Sequence, residues 1–410
     1  MSTISPEVDP AEVGLDPTRL SSLARHFDRY VEDRRLPGFL AVVTRAGKVA
    51  YVACRGFRDL EDGLPLESGT RFRIYSMTKP VTSVAAMICY EEGLIALDDP
   101  LAKFIPEFAE TRVYAGGSSF RPVTVPMSEP IRIWHLMTHT AGLTYGWMYN
   151  HPVDAMYRSA GFEWQTPGDL DLAACCSRLA KLPLRCQPGS EWNYSVATDV
   201  LGRVVEVASG TTLDQFFSER IFAPLGMQET SFYVEGEAAG QLAVLYSPDL
   251  TTGRAARANF LGEAALRRPS AALGGSGLVA TAADYHRFSQ MLLGRGELDG
   301  VRLLGARTVA YMTRNHLPRG AELADFGNPI GEENEGGLGF GLGFSVVTDP
   351  AAMKVACSAG EYGWGGAAST VFWVDPVEEL TVLFFTQLLP STTYPIRRQL
   401  KQLVHAAIVD

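Results

Sequence analysis

The sequence predicts an α/β (α+β) protein in which helices flank an antiparallel sheet built from both chain ends, with a mainly helical region inserted between the sheet's halves. Three observations carry this reading: a pair of β-rich runs near the N-terminus, a second pair near the C-terminus, and mostly helical signals from about residue 80 to residue 295. Residues 18–35 place Leu20, Leu23, Phe27 and Val31 at spacings of three and four, the period of one helix face. Phe39 to Thr44 and Val49 to Ala53 are β-rich, and the connector Arg45-Ala-Gly-Lys48 joins them as a hairpin. Ser195 is placed to cap a helix carrying Val196, Val200, Leu201 and Val204, with Asp199 in its first turns. Thr281 and Asp284 form a capping box ahead of Tyr285, Phe288, Met291 and Leu292, and Gly294 stops that helix, on which His286 and Arg287 read as surface residues. The glycines at 337, 339, 341 and 343 fit no nucleotide-binding spacing, so Gly336 to Phe344 reads as a glycine-bearing strand with every second residue large. Ser369 to Val374 and Leu380 to Gln387 form the second β-rich pair around an Asp-Pro turn, and Tyr394 to Ala407 closes the chain as an amphipathic helix. Connectors at 111–130, 144–170 and 229–270 are long enough to suggest that they shape a site.

A chain of 410 residues fits about two to three domains, or one two-lobed enzyme. With 46% hydrophobic and 20% charged residues, 40 Gly and 24 Pro, it reads as a globular protein with a large core, which excludes disordered and collagen-like classes. Lys and Arg number 36 against 46 Asp and Glu, and the net charge of −10 with no basic cluster excludes nucleic acid as a partner. The first ten residues lack the positive and apolar regions of a secretory signal. The most apolar stretch, Val371 to Leu389, is cut by Asp375, Glu378 and Glu379, so no run reaches the roughly 20 residues needed to span a bilayer. The expectation is a cytoplasmic protein without membrane contact. The six cysteines (54, 89, 175, 176, 186 and 357) form no C-x-x-C pair and no zinc spacing, and read as reduced core thiols.

The sharpest chemical signal is Ser76-Met-Thr-Lys79, followed by Pro80 and the apolar run Val81 to Ile88. Residues i and i+3 share a helix face, so the amine can reach the hydroxyl, the spacing of serine hydrolases that use lysine in place of histidine. By itself the pattern also describes a surface Ser and Lys on a helix. Proline is tolerated in a first helical turn, which puts Ser76 at a helix N-terminus, where free N–H groups and positive partial charge favour an oxyanion and a deprotonated lysine. Pro80 disfavours the α conformation at Lys79, so the turn is expected to be slightly irregular. Tyr194 stands just before the next helix start, where a phenolate is favoured, although a tyrosine anchoring a turn fits equally. Tyr362-Gly-Trp364-Gly-Gly366-Ala367 leads into a strand whose edge N–H suits an oxyanion, and it also fits an ordinary turn. Tyr145-Gly-Trp147-Met-Tyr149 fits an acyl pocket or core packing. His135 and His139 lie at i and i+4, but the zinc-protease pattern needs Glu where Leu136 stands, and no G-x-S-x-G occurs.

Ser76-x-x-Lys79, Tyr194 and Trp364-x-Gly366, in that order, resemble the family VIII carboxylesterases of the serine beta-lactamase and penicillin-recognising superfamily. Leu136 to Leu143, Pro188 to Ser195, Pro224 to Met227 and Gly275 to Phe288 match as well, and the resemblance spans roughly residues 15 to 405. It implies a class C beta-lactamase-like fold, with an α/β lobe from 1–100 and 271–410, a mainly helical lobe from 101–270, and the site in the cleft between. It implies Ser76 as the acylated nucleophile, Lys79 and Tyr194 as the base pair, and the N–H groups of Ser76 and Ala367 as the oxyanion hole. Trp364, Gly365, Gly366, Val196, Tyr145 and Trp147 become candidate substrate contacts, the substrate a small-molecule ester, with no cofactor and no metal. Two positions depart from the beta-lactamase pattern. Val196 replaces the Asn of Y-x-N, and Trp364 stands in place of the Lys of K-T-G. Both changes favour neutral, apolar esters of short to medium chain over beta-lactams. A beta-lactamase, D-amino-acid peptidase or acyltransferase on the same machinery is the alternative, and a non-catalytic scaffold of this fold a further one.

Overall fold

A computed structural model describes residues 3–164, 166–328 and 336–409. The first helix, α1 (Pro17–Glu32), starts where Asp16 accepts the N–H groups of Thr18 and Arg19 and Pro17 occupies a position that needs no donor. Strands β1 (Gly38–Arg45) and β2 (Lys48–Asp59) pair antiparallel across Ala46-Gly47, both at positive φ (50° and 73°). A short β3 (Leu64–Pro65) extends this edge. From the C-terminal part come β4 (Leu338–Phe340), β5 (Ser345–Val347), β6 (Tyr362–Gly365), β7 (Val371–Asp375) and β8 (Leu380–Phe385). The eight strands run in the order β4-β5-β6-β7-β8-β1-β2-β3, and β8 lies antiparallel to β1 with Leu40 opposite Phe385 and Val43 opposite Val382. The two chain ends therefore meet in the middle of one sheet.

Alternation along β1 explains the layering. Phe39, Ala41 and Val43 point to one face, where they pack with α1 and the last helix, α5 (Ile396–His405), through Phe27, Phe384 and Leu400. Leu40 and Val42 point to the other face, where α4 (Ala282–Leu293) sets Tyr285 against Phe372 at 5.0 Å. Beyond that face, α2 (Thr78–Glu91) packs on α3 (Ala197–Ser209). Among the described residues, no helix is long and apolar enough to cross a membrane.

Several expectations are corrected. Gly336 to Phe344 is not one strand: β4 ends at Phe340, and the chain turns through Gly343 (φ 95°) into β5. Thr281 caps α4 by accepting the Asp284 N–H, but the reciprocal arm is missing, because the Asp284 carboxylate accepts from the Glu229 N–H and the Thr230 hydroxyl instead. Val196, not Ser195, is the residue flanking α3, although the Ser195 hydroxyl accepts the Ala197 N–H. His286 is no surface residue; it faces the sheet within 3.0 Å of the Thr44 hydroxyl, and Arg287 is tied to the Leu225 carbonyl. The central region also holds β structure, a hairpin of Arg112–Ser118 with Arg121–Pro126 and a second pairing of Tyr246–Pro248 with Ala255–Arg257.

Candidate active site

The turn that presents Ser76 is strained. Tyr75 sits at φ 45°, unfavourable for a residue with a side chain, and leads into a single 3₁₀ turn, Tyr75–Met77, before α2 begins at Thr78. The irregularity expected at Lys79 is not found there: Lys79 already lies within α2, and Pro80 occupies the third position of that helix, where no intrahelical donor is required. Lys79 lies in the same first turn and is 2% exposed. Its ammonium is 3.3 Å from Ser76 Oγ and donates to Tyr145 Oη at 2.9 Å and to the Gly275 carbonyl at 2.7 Å. Three donors meet three acceptors, one of them the Ser76 hydroxyl.

Gly275 ties Lys79 to a buried anion. Its carbonyl accepts from the lysine while its N–H donates to Asp199 Oδ1 at 2.8 Å, and a Cβ there would stand 2.9 Å from the carboxylate. Burial raises the Asp199 pKa, and the nearby Lys79 charge partly reverses that rise. In the sequence, Asp199 stands out only through its place in a helix's first turns.

Tyr194 meets Lys79 through its ring, with the ammonium 4.6 Å from the ring centroid, while its hydroxyl accepts the Trp364 indole N–H at 3.3 Å. The phenol hydrogen-bonded to the lysine is Tyr145, expected only as a substrate contact. Burial holds the Tyr145 pKa well above its ordinary value, so it is a neutral phenol. His139 packs on the Tyr194 ring at 4.9 Å and approaches the Ser195 hydroxyl at 3.2 Å; burial and the Lys79 charge keep its imidazole neutral. His135 accepts the Arg132 N–H and anchors a loop.

The end of β6 closes the site from the sheet side. A Cβ on Gly366 would lie 2.4 Å from the Ile74 carbonyl and 2.2 Å from Thr370 Oγ1, so glycine alone lets the strand end lie against the turn before Ser76. Among the described residues, no group accepts the Ala367 N–H. Ser76, Tyr194, Trp364, Gly365, Gly366 and Ala367 all line one cavity of about 600 Å³. Trp147 lines it too, stacked on Tyr145 at 5.1 Å and on Trp164 at 5.4 Å. Two expected substrate contacts are not among the lining: Val196 is buried at the start of α3, and Tyr145 lies beneath Trp147 against the lysine. Met148, within the stretch read as fitting an acyl pocket, lines the cavity, and so do Trp164 and Arg397, which were not singled out from the sequence. An aromatic in a long connector was the available signal for Trp164; a helical spacing gave none for Arg397.

Among the described residues, one group of possible metal donors occurs, Glu361, Asp375 and His405, and there Lys401 already pairs with Glu361. It lies apart from Ser76, beside α5.

Comparison with known proteins agrees with this fold. The beta-lactamase family model matches residues 23–406. Protein Rv1367c of Mycobacterium tuberculosis is 38% identical over 87% of each chain, and esterase EstB of Burkholderia gladioli is 32% identical over 97% of this chain and 98% of its own. Among solved structures, EstCE1, described as a hydrolase with promiscuous acyltransferase activity, superimposes with a TM-score of 0.79 at 28% identity, covering 95% of this chain and 99% of that one. The chain belongs to the beta-lactamase family and is a hydrolase of the beta-lactamase-like superfamily.

Proposed function

We propose that the chain is a serine carboxylesterase of the family VIII type, hydrolysing short- to medium-chain esters through an acyl-enzyme on Ser76. The carrying observation is the approach of Lys79 Nζ to Ser76 Oγ at 3.3 Å on the wall of a cavity that Tyr194 and Ala367 also line. In this reading the Lys79/Tyr194 pair takes the Oγ proton as Ser76 attacks the ester carbonyl. The N–H groups of Ser76 and Ala367 receive the oxyanion, and the same pair returns the proton to the departing alcohol. Water, deprotonated by the pair, then releases the acid. The Lys79 ammonium lies over the Tyr194 ring, and the Trp364 indole N–H donates to the Tyr194 oxygen, so both groups of the pair face the nucleophile's side of the cleft wall. The lobes at 1–100 with 271–410 and at 101–270 belong to the same reading, with the cleft between them.

Ser76→Ala is expected to abolish both ester turnover and covalent labelling by a serine-directed phosphonate; full activity in that variant would sink the assignment. Hydrolysis of p-nitrophenyl acetate, butyrate and laurate, set against nitrocefin, is expected to favour the esters, because Trp364 stands where beta-lactamases carry a lysine. An ester rate no faster than that for nitrocefin reverses the ranking. Acyl transfer to a second alcohol is the other reading, favoured by the likeness to EstCE1 and by tryptophans on the cleft wall that disfavour water.

A further inference from the structure

The peptide unit that joins Gly366 to Ala367 has two edges. Its N–H, on Ala367, meets no acceptor among the described residues, and Ala367 borders the cleft that Ser76 lines. Its carbonyl, on Gly366, accepts the Ser369 N–H at 3.1 Å and Arg397 Nη2 at 3.3 Å. A peptide unit is planar with its N–H and C=O on opposite edges, so whatever holds the carbonyl also aims the N–H.

Arg397 reaches this carbonyl from α5, of which it is the second residue. Gly365 makes room for it. A Cβ there would stand 2.2 Å from Arg397 Nη2 and 2.4 Å from its Cζ, so the guanidinium lies against bare backbone at the end of β6. Successive residues of a strand face opposite ways, and the two glycines divide the work: Gly366 admits the turn before the nucleophile, Gly365 admits the cation. A hydrogen bond from a cation to a carbonyl is charge-assisted, and it polarises the amide so that the N–H at the far edge becomes a stronger donor.

We propose that Arg397 is a positioning residue for the oxyanion hole: from α5 it fixes and polarises the peptide unit of Gly366 and Ala367, and thereby sets the strength of the Ala367 N–H toward the transition state. The proposal rests on the reading of Ser76 as the ester-cleaving nucleophile and adds to it a residue that acts through backbone. Arg397 lines both the cleft and a smaller cavity of about 90 Å³ behind β6, so a methionine in its place meets open space.

Steady-state kinetics on p-nitrophenyl butyrate test this, with thermal melting to confirm the fold of each variant. Arg397→Met is expected to lower kcat by about tenfold with KM nearly unchanged, less than the roughly 10²–10³-fold that follows loss of an oxyanion donor itself. Arg397→Lys is expected to recover part of that loss. Arg398→Met, on the same helix but bonded to the Lys354 carbonyl, is expected to keep its kcat. A trifluoromethyl hexyl ketone supplies a second readout. Ser76 Oγ bonds the ketone carbon, the Oγ proton passes to the Lys79/Tyr194 pair, and the carbonyl electron pair moves to the oxygen as a standing oxyanion. Its Ki is expected to rise from variant to variant by the factor that kcat/KM falls. An unchanged kcat in Arg397→Met, an equal fall in Arg398→Met, a change confined to KM, or a Ki that stays in place overturns the role of Arg397 and leaves the esterase reading standing. No ester turnover and no inhibition by the ketone in the unaltered protein removes the reading of Ser76, and this role with it.

Discussion

At the scale of single residues, Lys79 holds the site together, and its three acceptors come from three distinct parts of the chain: Ser76, Tyr145 and Gly275. The two tyrosines beside it differ in kind. Tyr194 offers its ring to the lysine and its oxygen to Trp364, while Tyr145 offers its oxygen to the lysine. Removing the Tyr194 hydroxyl should therefore remove proton transfer, whereas removing that of Tyr145 should only misplace the amine. Tyr194→Phe is expected to lower kcat by roughly 10²-fold or more, the usual scale for losing a general base. Tyr145→Phe is expected to lower kcat by about tenfold with KM nearly unchanged, the loss of one hydrogen bond to a charged group. Steady-state kinetics on p-nitrophenyl butyrate check both, and an unchanged kcat in Tyr194→Phe would remove it from the base pair.

At the scale of elements, packing between helix and sheet overrides what local pattern suggests. His286 lies on α4, yet the helix turns it toward Thr44 on β1, and burial drops its pKa to about 4. The unfolded chain binds a proton near pH 6.5 that the folded chain refuses, so this contribution to stability is complete above pH 6.5, declines below it and is gone by about 4. The loss is on the order of 3 kcal/mol. Urea unfolding from pH 7 to pH 4 should show a shallower loss in His286→Gln than in the unaltered protein. The end of β6 makes a comparable demand. Gly366→Ala should push the strand off the Ile74 carbonyl, with about 1–3 kcal/mol of destabilisation and a disproportionate fall in kcat, because the Ala367 N–H moves with it. A variant with wild-type kcat would show that the close approach does not serve the oxyanion. The S-x-x-K spacing makes Ser76 and Lys79 legible from the sequence, since three residues on a helix fix a mutual distance. Tyr145's contact is illegible there, because nothing between positions 79 and 145 encodes a distance across two elements.

At the scale of the whole molecule, the sheet joins the first sixty-five residues to the last seventy-five, and its centre is a cluster in which Phe384 touches Phe27 at 4.9 Å and Phe39 at 5.6 Å. Phe384→Ala is expected to cost about 3–5 kcal/mol. Because both chain ends meet there, denaturant unfolding followed by far-UV signal and by activity should shift together; an activity curve that stays in place while the helical signal shifts would contradict a single cooperative sheet. The sequence by itself determined the pairs of strands at the two ends, the helix before the first pair and the helix after the second, and the order of Ser76, Lys79, Tyr194 and Trp364, because periodicity, turn residues and i, i+3 spacing are local quantities. Only the tertiary structure decided which phenol bonds the lysine, that Val196 is not among the cleft lining, that His286 faces the sheet, and that Arg73 is buried with no carboxylate beside it among the described residues. Those are distances between segments remote in sequence, set by how the elements pack, and no local pattern carries them.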